Sequence, residues 1–237
     1  MPLILAVAPP PNVHVRYHAL IPSAGTGTRA GTAGPKQYEK LAGRLLVQHT
    51  LEAFTRLGRI ASVLVVVAPG DERMPTGPGW RVSACGGATR AASVANGLAE
   101  LKAQGAGDDD WVLVHDAARC LVTPGQIDRL IDACGADAVG GLLAQPLADT
   151  LKQEEGGRVA QTLPRERKWL AQTPQMFRLA LLQRALAQAG DAVTDEASAI
   201  EAIGLKPLLV AGSAQNFKVT WPEDFALAEA VIRSRTR

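Results

Sequence analysis

What the chain lacks narrows its role first. Cysteine is scarce: Cys85, Cys120 and Cys134 are an odd number, with no Cys-x-x-Cys and no His at ligand spacing, so they read as reduced cytosolic thiols. No apolar run approaches the length of a membrane span. Neither sign of charge dominates. The 25 Lys and Arg stand against 23 Asp and Glu, net +2, and they are dispersed without a basic stripe, which argues against nucleic acid as a partner. Internal repeats and low-complexity segments are absent. Leu3 to Ala8 is apolar, yet no basic residue precedes it and Pro9-Pro10-Pro11 ends it, so a secretory signal is not expected. Residues 1–16 are expected to form a poorly ordered extension.

What is present suits one α/β domain over residues 17–237. Tyr17–Pro22, Ile60–Ala68, Trp80–Cys85, Trp111–His115 and Ala136–Ala144 read as strands, and Ile60–Ala68 is a near-continuous β-branched run of the kind buried in parallel sheets. Leu45–Leu57, Thr89–Gln104 and Thr123–Cys134 have helical spacing between them. This alternation predicts a doubly wound, mostly parallel sheet of Rossmann-like type. Pro146–Gln172 breaks the pattern, with a turn at Glu154-Glu155-Gly156-Gly157, and predicts a projecting β-hairpin arm. Arg178–Ala189 then reads as a helix, Thr194-Asp195-Glu196 as a capped helix start, Lys206–Val210 and Phe217–Thr220 as short strands, and Pro222 as the opening of the last helix.

The densest chemistry lies between the first strand and residue 37. Ala24-Gly25-Thr26-Gly27 can wrap an anion with backbone N–H groups, and Arg29 and Lys36 place two cations beyond it. Gly25 to Ala30 formally fits the dinucleotide pattern G-x-G-x-x-[GA]. However, Gly31, Gly34 and Pro35 oppose an immediate helix, and the second strand ends without an acid. A nucleoside-triphosphate loop therefore fits better than an NAD site or a plain turn. Asp116 follows a central strand, where ligands bind in open α/β sheets. It reads either as a Mg²⁺ carboxylate or as the cap of a turn. His115 beside it reads as a packed residue rather than a base. Gly86 to Ser93 joins a strand to a helix, which suits either a base and ribose site or a tight turn before a helix. Lys218, taken alone, reads as solvated surface.

The motifs together carry more than any one of them. Pro-x-Ala-Gly-x-Gly-x-Arg, Pro-Lys-Gln-Tyr, Gly-Gly-x-x-Arg-x-x-Ser-Val, Val-His-Asp-Ala-Ala-Arg, Asp-Thr-Leu-Lys, Gln-Thr-Pro-Gln-x-Phe, Thr-Asp-Glu-Ala-Ser and Asn-x-Lys-Val-Thr-x-Pro-Glu-Asp occur in order from about Ala19 to Ile232. The series resembles the 2-C-methyl-D-erythritol 4-phosphate cytidylyltransferases, which join CMP to a branched tetritol phosphate in the non-mevalonate isoprenoid pathway. The resemblance implies that Arg29 and Lys36 stabilise the transition state, and that Ala24, Gly25, Thr26 and Gly27 hold the triphosphate. It implies cytosine and ribose contacts from Gly87, Ser93 and Ala117, and a magnesium carboxylate in Asp116. Thr150, Arg165, Thr194 and Lys218 would hold the sugar phosphate, with Arg165 and Lys218 positioning it for attack. It further implies CTP as co-substrate, a cytoplasmic homodimer whose arms reach the neighbouring site, and no partner among nucleic acids or membranes. The sequence stops after the last helix, so no fused cyclodiphosphate-synthase domain is expected. Ala88, Cys120 and Trp221 depart from the usual pattern. Such a reaction requires no general base, because the attacking phosphate monoester is already anionic. A cytidylyltransferase for another polyol phosphate, such as ribitol 5-phosphate, and a non-catalytic nucleotide-binding regulator remain as alternatives.

Overall fold

Side chains alternate along the buried strands, and that alternation splits the core into two layers. The computed structural model describes residues 15–235 except 26, 28, 29, 33, 191 and 192. The expected extension 1–16 thus lies outside the described residues but for its last two. The chain begins with β1 (Tyr17–Pro22), a short 3₁₀ turn at Lys36–Tyr38, a small hairpin of β2 (Lys40–Leu41) and β3 (Arg44–Leu45), and α1 (Leu46–Thr55). There follow β4 (Ile60–Val66), β5 (Arg81–Ser83), α2 (Arg90–Ala103), β6 (Trp111–Val114), α3 (Pro124–Cys134) and β7 (Gly140–Pro146). The hairpin β8 (Leu151–Glu155) and β9 (Arg158–Leu163) precedes β10 (Trp169–Arg178), α4 (Leu179–Ala189), α5 (Glu196–Ala202), β11 (Leu208–Ala211) and α6 (Pro222–Arg235).

Seven strands form one sheet in the order β11-β7-β10-β6-β1-β4-β5. All neighbours are parallel except β10, which runs antiparallel to both β6 and β7. Ala19, Ile21, Val63 and Val65 face α1 and α3, whereas Leu20, Leu64 and Val66 face α2, α4 and α5. A third cluster, with Leu41, Leu46, Leu121, Val219 and Ala228, seats α6 beside the β2–β3 hairpin. Side-chain caps set the helix starts: Thr89 accepts from the Ala92 N–H, Thr123 from Gln126 and Asp195 from Ser198. Among the described residues no helix is long and apolar enough to cross a membrane.

Two expectations change. Phe217–Thr220 is not a sheet strand; the Val219 N–H donates to the Ala118 carbonyl and ties this extended segment to the loop after β6. The arm is also shorter than 146–172, because Trp169 already pairs with Pro146 and begins β10. Pro174 stands within β10, where a proline removes a ladder hydrogen bond. The register between β10 and β7 shifts between Ala171 and Gln175, and Pro174 falls in that interruption.

Candidate active site

The segments that follow β1, β5 and β6 line a cleft of about 260 Å³. Its lining brings together Ala24, Gly25, Gly27, Lys36, Gly87, Ser93, Asp116, Ala117 and Lys218, nine of the positions expected from sequence. Thr26 and Arg29 lie outside the described residues. Thr194 borders a neighbouring cleft of about 220 Å³ that shares Arg90, Asp116 and Lys218 with the first. Thr150 and Arg165 lie in neither: both are exposed on or beside the arm, where Arg165 Nη1 donates to the Ala148 carbonyl.

The loop after β1 is shaped by its carbonyls. Gln37 Nε2 donates to the Ser23 carbonyl at 2.9 Å and to the Gly25 carbonyl at 3.1 Å. Both acceptors are thereby drawn toward Gln37. Gly27 has φ +66°, and a Cβ there would lie 2.9 Å from Lys36 Cγ, so the loop closes over the lysine stem only with glycine. Lys36 Nζ in turn donates to the Val219 carbonyl at 2.6 Å.

Across the cleft, Gly87 is required by packing. A Cβ at Gly87 would come within 2.5 Å of Ala92 Cβ. The Gly87 N–H donates to Ser93 Oγ at 3.0 Å, and that hydroxyl donates to the Thr89 carbonyl at 3.0 Å. Ser93, buried at the start of α2, thus pins the turn that carries Gly87.

Asp116 stands on a loop anchored at almost every peptide. The His115 N–H donates to the Leu20 carbonyl, the Asp116 N–H to Thr173 Oγ1, Thr50 Oγ1 to the Ala117 carbonyl, and Val219 N–H to the Ala118 carbonyl. His115 is fully buried. With Thr173 Oγ1 3.0 Å from Nδ1 and the Arg119 carbonyl 3.1 Å from Nε2, the network assigns the neutral Nε2–H form. Burial pushes its pKa down to about 4, in keeping with a packed histidine.

The carboxylate of Asp116 meets two cations: Arg90 Nε donates to Oδ1 at 2.9 Å and Lys218 Nζ to Oδ2 at 2.7 Å. Burial would raise the pKa of Asp116, but Arg90 and Lys218 outweigh it and hold the group well below the usual carboxylate range. Among the described residues no group of three His, Cys, Asp or Glu side chains is gathered. A Mg²⁺ ion here would have Asp116 as its one protein carboxylate and would share that group with Arg90 and Lys218, which now take its two oxygens.

Sequence reasoning assigned no role to Arg90, Glu196, Gln37 or Thr173, although each lay inside a quoted motif. Glu196 had the look of a first-turn acid of α5. It is that acid, and it is also buried, with both its oxygens accepting from Arg90, at 2.6 and 3.0 Å.

Known proteins resemble this chain in sequence and fold. The family model IspD, 2-C-methyl-D-erythritol 4-phosphate cytidylyltransferase, matches residues 17–234. A 2-C-methyl-D-erythritol 4-phosphate cytidylyltransferase of Ralstonia nicotianae is 57% identical over 92% of this chain and 92% of its own length. A bifunctional enzyme IspD/IspF of Albidiferax ferrireducens is 63% identical over 98% of this chain, which spans 56% of that longer protein. Among solved structures, a 4-diphosphocytidyl-2C-methyl-D-erythritol synthase superimposes with a TM-score of 0.83 at 41% identity, covering 93% of this chain and all of its own. The 2-C-methyl-D-erythritol 4-phosphate cytidylyltransferase of Thermus thermophilus does so with a TM-score of 0.78 at 39% identity, over 92% of this chain and all of its own. Matched along its sequence from residue 17 to 234 and in fold over more than nine-tenths of its length, the chain belongs to the 2-C-methyl-D-erythritol 4-phosphate cytidylyltransferase family.

Proposed function

We propose that the cleft transfers CMP from CTP to 2-C-methyl-D-erythritol 4-phosphate and releases pyrophosphate. The observation that carries this reading is the convergence of the glycine loop, Lys36, Asp116 and Lys218 on one cleft from four separate segments. A phosphate-monoester oxygen forms a bond to the α-phosphorus as the bond from that phosphorus to its bridging oxygen breaks. Pyrophosphate leaves with the electron pair. No proton need be removed, so the difficulty is the approach of one polyanion to another, and the protein's work is positioning and charge compensation.

In this reading the backbone of Ala24, Gly25, Thr26 and Gly27 cradles the triphosphate. Arg29 and Lys36 offset charge at the α-phosphorus, and Gly87, Ser93 and Ala117 border the base and ribose. Lys218 keeps further N–H donors beyond the one spent on Asp116, and these suit the incoming sugar phosphate beside Thr194. Asp116 would hold Mg²⁺, which when bound would offset part of the charge on the reacting phosphates. Three free cysteines, with burial pushing the Cys120 and Cys134 thiols up to about 12, support a cytoplasmic setting.

We take the functional unit to be a twofold dimer. β8 and β9 are exposed along nearly their whole length, and a lone two-stranded hairpin is marginal in water. A partner subunit would cover the arm and receive Thr150 and Arg165. Pyrophosphate release with CTP and a panel of polyol phosphates tests the activity. Turnover with the methylerythritol phosphate is expected; turnover with ribitol 5-phosphate alone would redirect the substrate, and none with any would end the enzymatic reading.

A further inference from the structure

Four charged side chains interlock at the cleft, three of them lining it and Glu196 buried behind Arg90. Glu196, 1% exposed, binds Arg90 through both oxygens; Arg90 passes on to Asp116 Oδ1; Lys218 takes Asp116 Oδ2. We propose that Arg90 is a positioning residue with Glu196 as its fixed counter-ion, and that the pair aims the Asp116 carboxylate and, through it, the Lys218 ammonium at the reacting phosphates. This inference rests on the cytidylyl-transfer reading and assigns roles that the reading leaves unfilled.

The geometry uses what is peculiar to arginine. One planar guanidinium spends Nη1 and Nη2 on Glu196 and Nε on Asp116, three donors whose mutual angles are fixed. A lysine has no such fork. With Oδ1 held by Arg90 and Oδ2 by Lys218, the plane of the Asp116 carboxylate is set before any phosphate enters. Because Glu196 takes Nη1 and Nη2, Arg90 meets Asp116 through Nε.

Glu196 is itself held in place. The side chain of Gln175, on β10, spans the start of α5: its Oε1 accepts from the Ala197 N–H at 2.7 Å and its Nε2 donates to Asp195 at 2.8 Å. A carboxylate so far removed from water is costly, and apolar packing at such a place is commonly as stable. Arg90 also lines both clefts and keeps 29% of its side chain exposed, so the pair ends at the site and not in the core.

The test compares steady-state kinetics with thermal stability in four proteins: wild type, Glu196→Gln, Arg90→Lys and the double variant Arg90→Gln/Glu196→Gln. Both single variants should lose about 10- to 100-fold in kcat, the scale found when the partner of a metal-site ligand is removed. Their KM for CTP should stay within about threefold, because the glycine loop is untouched. Should the singles melt, the double variant carries the test, since it removes one charge of each sign and retains two amides that can pair. It is expected to melt near wild type while kcat stays at least about tenfold low. A double variant that folds and turns over like wild type would make the pair a structural brace and overturn the proposal. So would a KM for CTP that rises more than kcat falls, which would make Arg90 a nucleotide ligand. A wild-type protein inactive with CTP and 2-C-methyl-D-erythritol 4-phosphate would sink the underlying reading instead.

Discussion

Lys36 is a cation fixed by its surroundings: its stem lies against Gly27 and its ammonium donates to the Val219 carbonyl. Its charge therefore needs little reorganisation when phosphate arrives. Lys36→Ala should lower kcat by about 100-fold or more while the far-ultraviolet spectrum stays native; a variant that keeps most of its turnover would remove Lys36 from the chemistry. Asp116→Asn should raise the Mg²⁺ concentration needed for half-maximal rate, and an unchanged titration would leave Asp116 a purely structural partner of Arg90 and Lys218. His115 makes a different prediction. Burial holds its folded pKa near 4, below the ordinary 6.5, so the unfolded chain takes up the proton first as pH falls. The stability it contributes is complete above about pH 6.5 and is lost toward pH 4, amounting to about 3 kcal/mol at most. His18, lowered by burial despite its contact with Asp110, acts in the same direction. Urea midpoints should fall between about pH 7.5 and pH 4.5, and a flat profile would contradict the neutral assignment of His115.

At the scale of elements, β10 organises the site. Its Thr173 holds the Asp116 N–H; its Gln172 accepts from Asn216 Nδ2 and the Ser213 N–H at the head of the segment that bears Lys218; its Gln175 holds the start of α5 and with it Glu196. Three loops from different parts of the chain are thus aligned by one strand. Gln175→Ala would leave the Ala197 N–H without its side-chain acceptor in the interior, at a cost of about 1–3 kcal/mol. Urea denaturation should detect that loss, together with a drop in kcat; undiminished stability would deny β10 this role. The parallel strands and their helices were legible from β-branched runs and 3.6-residue spacing. β10 was not, because Gln172, Thr173, Pro174 and Gln175 spend their polar groups on loops remote in sequence. Phe217–Thr220 erred the other way. It alternates like a strand, yet the Val219 N–H donates to the Ala118 carbonyl of a loop and not to a sheet strand.

At the scale of the whole molecule, the arm is the part a single chain leaves unused. Val159 on β9 stays 63% exposed, and Trp169 and Leu170 at the arm's base are 39% and 46% exposed. A twofold dimer would cover them and carry Thr150 and Arg165 into the partner's cleft. Mixing decides this. Arg29→Ala and Arg165→Ala homodimers should each be nearly inactive. After unfolding and co-refolding equal amounts, half the dimers should be mixed, each with one intact site, and activity should return to about a quarter of wild type. Mixed dimers without recovered activity would place Arg165 in the site of its own chain.

The sequence by itself determined the glycine-rich segment after the first strand, the acid at the end of a central strand and the parallel α/β frame. Each of these is written in contiguous residues whose local chemistry leaves few alternatives: glycines that permit tight turns, β-branched runs that demand burial, caps that start helices. Only the tertiary structure decided that Glu196 lies beneath Arg90, that both oxygens of Asp116 are taken by cations, and that an antiparallel strand holds the loops in register. Those are pairings between charges and amides up to 106 positions apart, and spacing along a chain carries no record of which distant groups will share the same desolvated volume.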